Sequence, residues 1–182
     1  YEYNCDSASC HMECGFVQQR WAYHYGCEVG RGAGEELHEY LVEAWGESGV
    51  DGTLHIMQDR DAEETYHALY MKAAIERAGI PCKIIHGTSG LSWDEDGWVC
   101  DADGERIKWV WKTWAWETAL DQIRDDLNDD AEDLRLCRKV DHRSQPPRLV
   151  DVLLREEVMV FEPLWTLIPS NKAILPVLSA MY

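Results

Sequence analysis

No stretch of the 182-residue sequence approaches the roughly 20 consecutive apolar residues that a membrane-spanning helix requires, so no membrane segment is expected. Basic residues are scarce. Lys and Arg number 17 against 34 Asp and Glu, a formal charge of -17 at pH 7. Nucleic acid is therefore excluded as a partner, because phosphate binding needs a basic surface and counterion release. That field favours cations instead: metal ions, polyamines or a basic peptide. Three common catalytic signatures are missing: the Gly-x-x-x-x-Gly-Lys-Ser/Thr phosphate loop, His-Glu-x-x-His, and the Gly-x-Ser-x-Gly elbow. Hydrophobic residues at 46% and charged ones at 28% are ordinary globular usage, which rules out wholesale disorder. The length suits about one domain.

The seven cysteines, at 5, 10, 14, 27, 82, 100 and 137, are odd in number and too sparse for a disulfide scaffold. They read as reduced thiols of a cytoplasmic protein. Cys5, Cys10, His11 and Cys14 lack a Cys-x-x-Cys pair and have no second ligand pair, so a structural zinc site is not expected. Gly30, Gly32 and Gly34 read as a loop, since their spacing is wrong for a dinucleotide fingerprint and no apolar strand precedes them.

Periodicity predicts a strand at the start of the chain and a helix reaching about residue 23, with Asp6 and Ser7 as caps. A second helix is predicted over 35–45, with Leu37, Tyr40, Leu41, Ala44 and Trp45 on one face. Strand 53–57, helix 62–78 and strand 81–86 then form a strand-helix-strand unit consistent with a parallel pair, the α/β signature. Residues 98–100 and 106–111 read as a hairpin across Asp101-Ala102-Asp103-Gly104. A helix over 113–127, a solvated acidic connection at 129–133, a short helix over 148–154 and a buried strand over 158–161 complete the reading. Trp109, Trp111, Trp114 and Trp116 fit a strand running into a helix, with their indoles filling core.

Two places carry candidate chemistry. On a strand Glu2 and Asn4 share a face, so a carboxylate and an amide oxygen stand together as a hard cation such as magnesium requires; the same pattern is also that of an ordinary surface pair. Asp61-Ala62-Glu63-Glu64 lies where a strand yields to a helix, the edge at which α/β sheets place ligands. Glu63 and Glu64 differ by about 100° around the helix and can address two ammonium groups, while first-turn acids also simply favour the helix dipole.

Four segments, read together, resemble one family. They are Tyr1-Glu-Tyr-Asn-Cys-Asp-Ser-Ala-Ser-Cys10, His55-Ile-Met-Gln-Asp59, Val110-Trp-Lys-Thr-Trp-Ala-Trp-Glu-Thr118 and Phe161-Glu-Pro-Leu-Trp-Thr-Leu-Ile-Pro-Ser-Asn-Lys172. The family is that of the glutathionylspermidine synthetases, which includes trypanothione synthetase, and the resemblance covers nearly the whole chain. It implies α/β architecture of the ATP-grasp type: a pre-ATP-grasp α/β unit plus the start of the ATP-grasp lobe. The activity it implies is that of an ATP-dependent amide ligase. Such an enzyme phosphorylates the glycine carboxylate of glutathione with ATP and magnesium, and an amine of spermidine or glutathionylspermidine then displaces the phosphate.

The resemblance also implies residue roles. Glu2 is similar to the metal-bridging glutamate and Asn4 to a metal-binding asparagine. Ser7, Glu64 and Thr118 resemble glutathione contacts, with Glu64 meeting the α-ammonium. Glu63 resembles the polyamine carboxylate, and Lys172 the lysine that holds ATP phosphates. Cys10 falls near the thiol-bearing substrate and is given no catalytic role. The family's arginine and metal-binding aspartate would precede Tyr1, and its remaining nucleotide lobe would follow Tyr182. The expectation is thus one domain over 1–182, truncated at both ends and inactive alone, with nothing resembling the amidase domain of many relatives. Two rival readings are a non-catalytic module that captures polyamine or metal, and a related ligase with other substrates.

Overall fold

In a computed structural model the chain is described over residues 10–27, 32, 34, 36–135 and 145–181. Its centre is Leu54–Gln58 (β1), buried at all five positions. A strand buried on both faces needs neighbours on both sides and helices above and below. β1 pairs in parallel with Cys82–His86 (β2) on one side and Trp109–Lys112 (β5) on the other, and β5 pairs in parallel with Met159–Val160 (β6). The sheet order is β2-β1-β5-β6. The chain therefore leaves β1 for one edge and returns on its other side, which makes the gap between β1 and β5 the topological switch point.

One face of the sheet is covered by Leu37–Gly46 (α2) and Ala62–Arg77 (α3). Leu54, Ile56 and Trp111 pack there against Ala68, Met71, Ala74, Ile75 and Trp45. Ala68, Met71, Ala74 and Ile75 recur along α3 at the three- and four-residue spacing of one helix face. Asp61 caps α3, its carboxylate accepting the Glu63 amide at 3.0 Å. Gly79 ends the helix at φ 87°, a left-handed conformation that glycine adopts without a Cβ penalty.

The opposite face carries Trp116–Arg135 (α4) and Leu149–Leu153 (α5), with Met57, Val110 and Val160 meeting Trp116, Ala119, Leu149, Val152 and Leu153. Before α2 lies a helical segment, residues 11–24, whose Glu13–Val17 stretch is π-helical and whose last part is Gln18–His24 (α1). After β6 come a 3₁₀ turn, Leu167–Ser170 (α6) and Ile174–Met181 (α7). Among the described residues no helix is long and apolar enough to cross a membrane.

Two expectations are corrected. Val99–Cys100 (β4) pairs antiparallel with Ser92–Trp93 (β3), which the sequence reading passed over. The predicted return strand keeps the Cys100–Arg106 bridge, made by the Ile107 amide on the Val99 carbonyl and the Asp101 amide on the Glu105 carbonyl; the chain from Trp109 joins the main sheet instead. Val110 and Trp111 are both buried on opposite faces, which suits a central parallel strand and not an exposed hairpin arm. Likewise α4 continues through residues 129–133, read as a connection, because no glycine or proline interrupts it before Arg135.

Candidate functional site

The C-terminal lip of β1 and β5 is built from residues that lock the two strand exits together. The Asp59 amide donates to Thr113 Oγ1 at 3.3 Å, and the Thr113 amide donates to the Met57 carbonyl at 3.0 Å. From this lip α3 and α4 start on opposite faces of the sheet, so two helix N-termini flank one crevice.

Glu63 and Glu64 lie in the first turn of α3, as the sequence predicts. Glu63 is exposed, whereas Glu64 is half-buried. One carboxylate oxygen of Glu64, Oε2, is buried with no hydrogen-bond partner. Such an oxygen is costly unless a donor arrives. Below it, Gln58 closes β1, 1% exposed, donating through Nε2 to Thr65 Oγ1 at 3.0 Å while its Oε1 is likewise without a partner. Thr118 sits half-buried in the first turn of α4, its amide on the Ala115 carbonyl at 3.2 Å. The structure thus brings Glu63, Glu64 and Thr118 to one lip. Lys172 is exposed in the turn between α6 and α7, beyond β6. Glu2, Asn4 and Ser7 lie outside the described residues.

Sequence reasoning missed Gln58 and Lys112. Each is a polar residue at the last position of a buried strand, directly after an apolar run (Ile56-Met57 and Trp109-Val110-Trp111), and that position was the available signal. Lys112 is fully buried, its ammonium donating to the Trp114 carbonyl at 2.9 Å and lying 5.1 Å from the Trp116 ring centre. It holds the turn from β5 into α4 against the core.

A second polar cluster occupies the other end of the strands. His55 Nε2 lies 3.2 Å from Asp101 Oδ2, and Glu105 completes the one trio of potential metal ligands found among the described residues. The Lys83 ammonium already stands there, 2.7 Å from Asp101, 2.7 Å from Asp103 and 3.1 Å from Glu105. Burial pushes Asp101 up, but hydrogen bonds from Lys83, the Glu105 amide, His55 and the Asp103 amide outweigh it and hold the carboxyl at about 2. Burial pushes His55 down, more than its bond to Asp101 raises it. Lys83 is raised, first by its hydrogen bond to Asp101. A tethered ammonium meeting three carboxylates is a pin between the β4 loop and the sheet.

Comparison with known proteins places these features. The family model described as "Glutathionylspermidine synthase preATP-grasp" matches residues 1–182. The chain is 48% identical over 182 residues to the bifunctional glutathionylspermidine synthetase/amidase of Escherichia coli (strain K12), covering all of this chain and 29% of that protein. It is 40% identical over 185 residues to trypanothione synthetase of Crithidia fasciculata, covering 98% of this chain and 27% of that one. It thus spans under a third of the length of either relative. Matched by the family's model from end to end, the chain belongs to the glutathionylspermidine synthase pre-ATP-grasp family.

Proposed function

We propose that the full-length protein carrying this pre-ATP-grasp unit is an ATP-dependent amide ligase that joins the glycine carboxylate of glutathione to an amine of spermidine or glutathionylspermidine. The observation that carries the reading is the buried, unpartnered Oε2 of Glu64 at the switch-point lip. An ammonium ion supplies the missing donor there, and glutathione carries one on its γ-glutamyl end.

In this reading ATP transfers its terminal phosphoryl group to the glycine carboxylate, leaving ADP and an acyl phosphate. The amine then attacks the acyl carbon, the C–N bond forms, and phosphate leaves. The carboxylate alone is a poor acyl donor, so phosphorylation supplies the leaving group and the site supplies proximity. Glu64 and Thr118, with Ser7, hold glutathione; Glu63, exposed beside Glu64, holds the polyamine cation. Lys172 holds ATP phosphates. Glu2 and Asn4 offer hard oxygen donors of the kind magnesium takes, and the ion when bound offsets phosphate charge. The thiols of Cys10, Cys14, Cys27, Cys82 and Cys100 are unbridged, which suits a reducing cytoplasm.

The test is ATP-dependent ligation by the full-length protein and its Glu64→Gln variant. The expected result is a KM for glutathione raised about tenfold or more, equivalent to about 1.4 kcal/mol, with no loss of thermal stability. An unchanged KM would remove the assignment of Glu64, and absence of any glutathione-polyamine conjugate would remove the ligase reading.

A further inference from the structure

The last residue of β1 faces α3. Leu54 and Ile56 pack on the side of the sheet that α2 and α3 cover and Met57 on the other, and strand side chains alternate, so Gln58 falls on the same face as Ile56. Glu64 comes to that face from the helix, four and seven residues before Ala68 and Met71 of the buried α3 stripe. Gln58 and Glu64 therefore enter one gap, between the exit of β1 and the first turn of α3. The Gln58 Nε2 donates across it to Thr65 Oγ1 at 3.0 Å, next in sequence to Glu64.

Both residues bring to the gap an acceptor that nothing meets. Gln58 is 1% exposed with its Oε1 buried and unpartnered, and Glu64 Oε2 is buried in the same condition. The orientation of the Gln58 amide is fixed, since its nitrogen also reaches the Asp59 carbonyl at 3.2 Å and a carbonyl can only accept. Turning the amide over would set two oxygens against each other. The donor that suits the pair is narrow in kind: a hydroxyl has one proton to give, whereas a primary ammonium has three and a charge that the carboxylate attracts. A divalent ion seeks six or more oxygens, and the neighbouring positions on these faces, Ile56, Ala68 and Trp111, are apolar. An anion would meet a carboxylate.

We propose that Gln58 is a specificity-determining residue, its Oε1 and Glu64 Oε2 together taking a primary ammonium, the α-ammonium of the γ-glutamyl end of glutathione. The tripeptide part rests on the ligase reading; the pairing of two acceptors does not. Glu64 supplies charge, which any cation satisfies. Gln58 supplies a second acceptor at a fixed place, which demands two N–H groups on one nitrogen. A tripeptide lacking that nitrogen leaves both oxygens buried and unmet, so the site rejects it strongly.

The test is calorimetric titration of the full-length protein with glutathione and with glutaryl-cysteinylglycine, which keeps every group of glutathione except the α-ammonium. The parent should bind glutathione at least about a hundredfold tighter. Gln58→Met keeps the length of the side chain and removes the acceptor, so glutathione should bind at least about tenfold weaker and the deaminated tripeptide within about twofold of the parent. Gln58→Glu restores an oxygen at the same reach, and its preference for glutathione should be no smaller than the parent's. Equal weakening of both tripeptides in Gln58→Met would overturn the proposal, because Gln58 would then only support the turn, with water on its acceptor. So would an unchanged affinity of that variant for glutathione. Two outcomes overturn it without Gln58→Met, should that variant not fold: a parent with no preference for glutathione, and a Gln58→Glu preference about tenfold below the parent's. Conjugate formation with these ratios unmoved removes the role of Gln58 and leaves the ligase reading, whereas the expected ratios with no glutathione-polyamine conjugate remove the ligase reading and leave the ammonium site.

Discussion

The amide of Asp59 rests on the hydroxyl of Thr113, 54 positions away, at 3.3 Å. This bond, with the reciprocal one from the Thr113 amide to the Met57 carbonyl, fixes the width of the crevice between the exits of β1 and β5.

Thr113→Val keeps the shape of the side chain and removes the acceptor. The Asp59 amide is then left part-buried without a partner, a cost of about 1 kcal/mol. Chemical denaturation should show that loss with an unchanged m value. Ligation kinetics on the full-length protein should show a raised KM for glutathione, because the lip carrying Glu64 and Thr118 loosens. Unchanged stability would mean that water replaces the hydroxyl and that the bond does not set the lip.

Acid should weaken this fold in two stages. The His55 pKa is lowered by burial, so between its folded value and roughly 6.5 the unfolded chain binds the extra proton and stability falls as pH falls. Asp101, held at about 2 against roughly 3.9 unfolded, contributes stability above pH 4 that is lost as pH descends toward 2. Lys83→Met removes a principal cause of the Asp101 depression. The variant should melt lower at neutral pH and show a flatter stability profile between pH 4 and 2. A profile parallel to that of the parent would show that Lys83 does not govern Asp101.

Gly34 faces the first helical segment backbone to backbone. A Cβ built there would stand 2.3 Å from the Cys14 carbonyl oxygen and 2.8 Å from the Gly15 nitrogen, and neither atom can swing aside as a side chain would. Gly34→Ala should therefore displace residues 11–24 and cost about 1–3 kcal/mol, the usual range for overpacking. Hydrogen exchange faster in residues 11–24 than in β1 would confirm the location, and uniform exchange across the chain would refute it.

What the sequence determined by itself was local. The α3 stripe of Ala68, Met71, Ala74 and Ile75, and β1 and β2 on either side of α3, follow from short-range periodicity. The placement of Glu63 and Glu64 at a strand-to-helix edge followed from the same pattern. Tertiary structure decided the rest, because it depends on partners distant in the chain. Whether Trp109–Lys112 folds back as a hairpin or enters the sheet between β1 and β6 turns on burial available only once α2 and α4 cover both faces. The pairing of His55 with Asp101, 46 positions away, and the enclosure of a cavity by α2, α3 and the segment after β6 have no signature within any one window of sequence. A strand edge selects its neighbour through the sum of side chains that both can bury, and that sum exists only in the assembled fold.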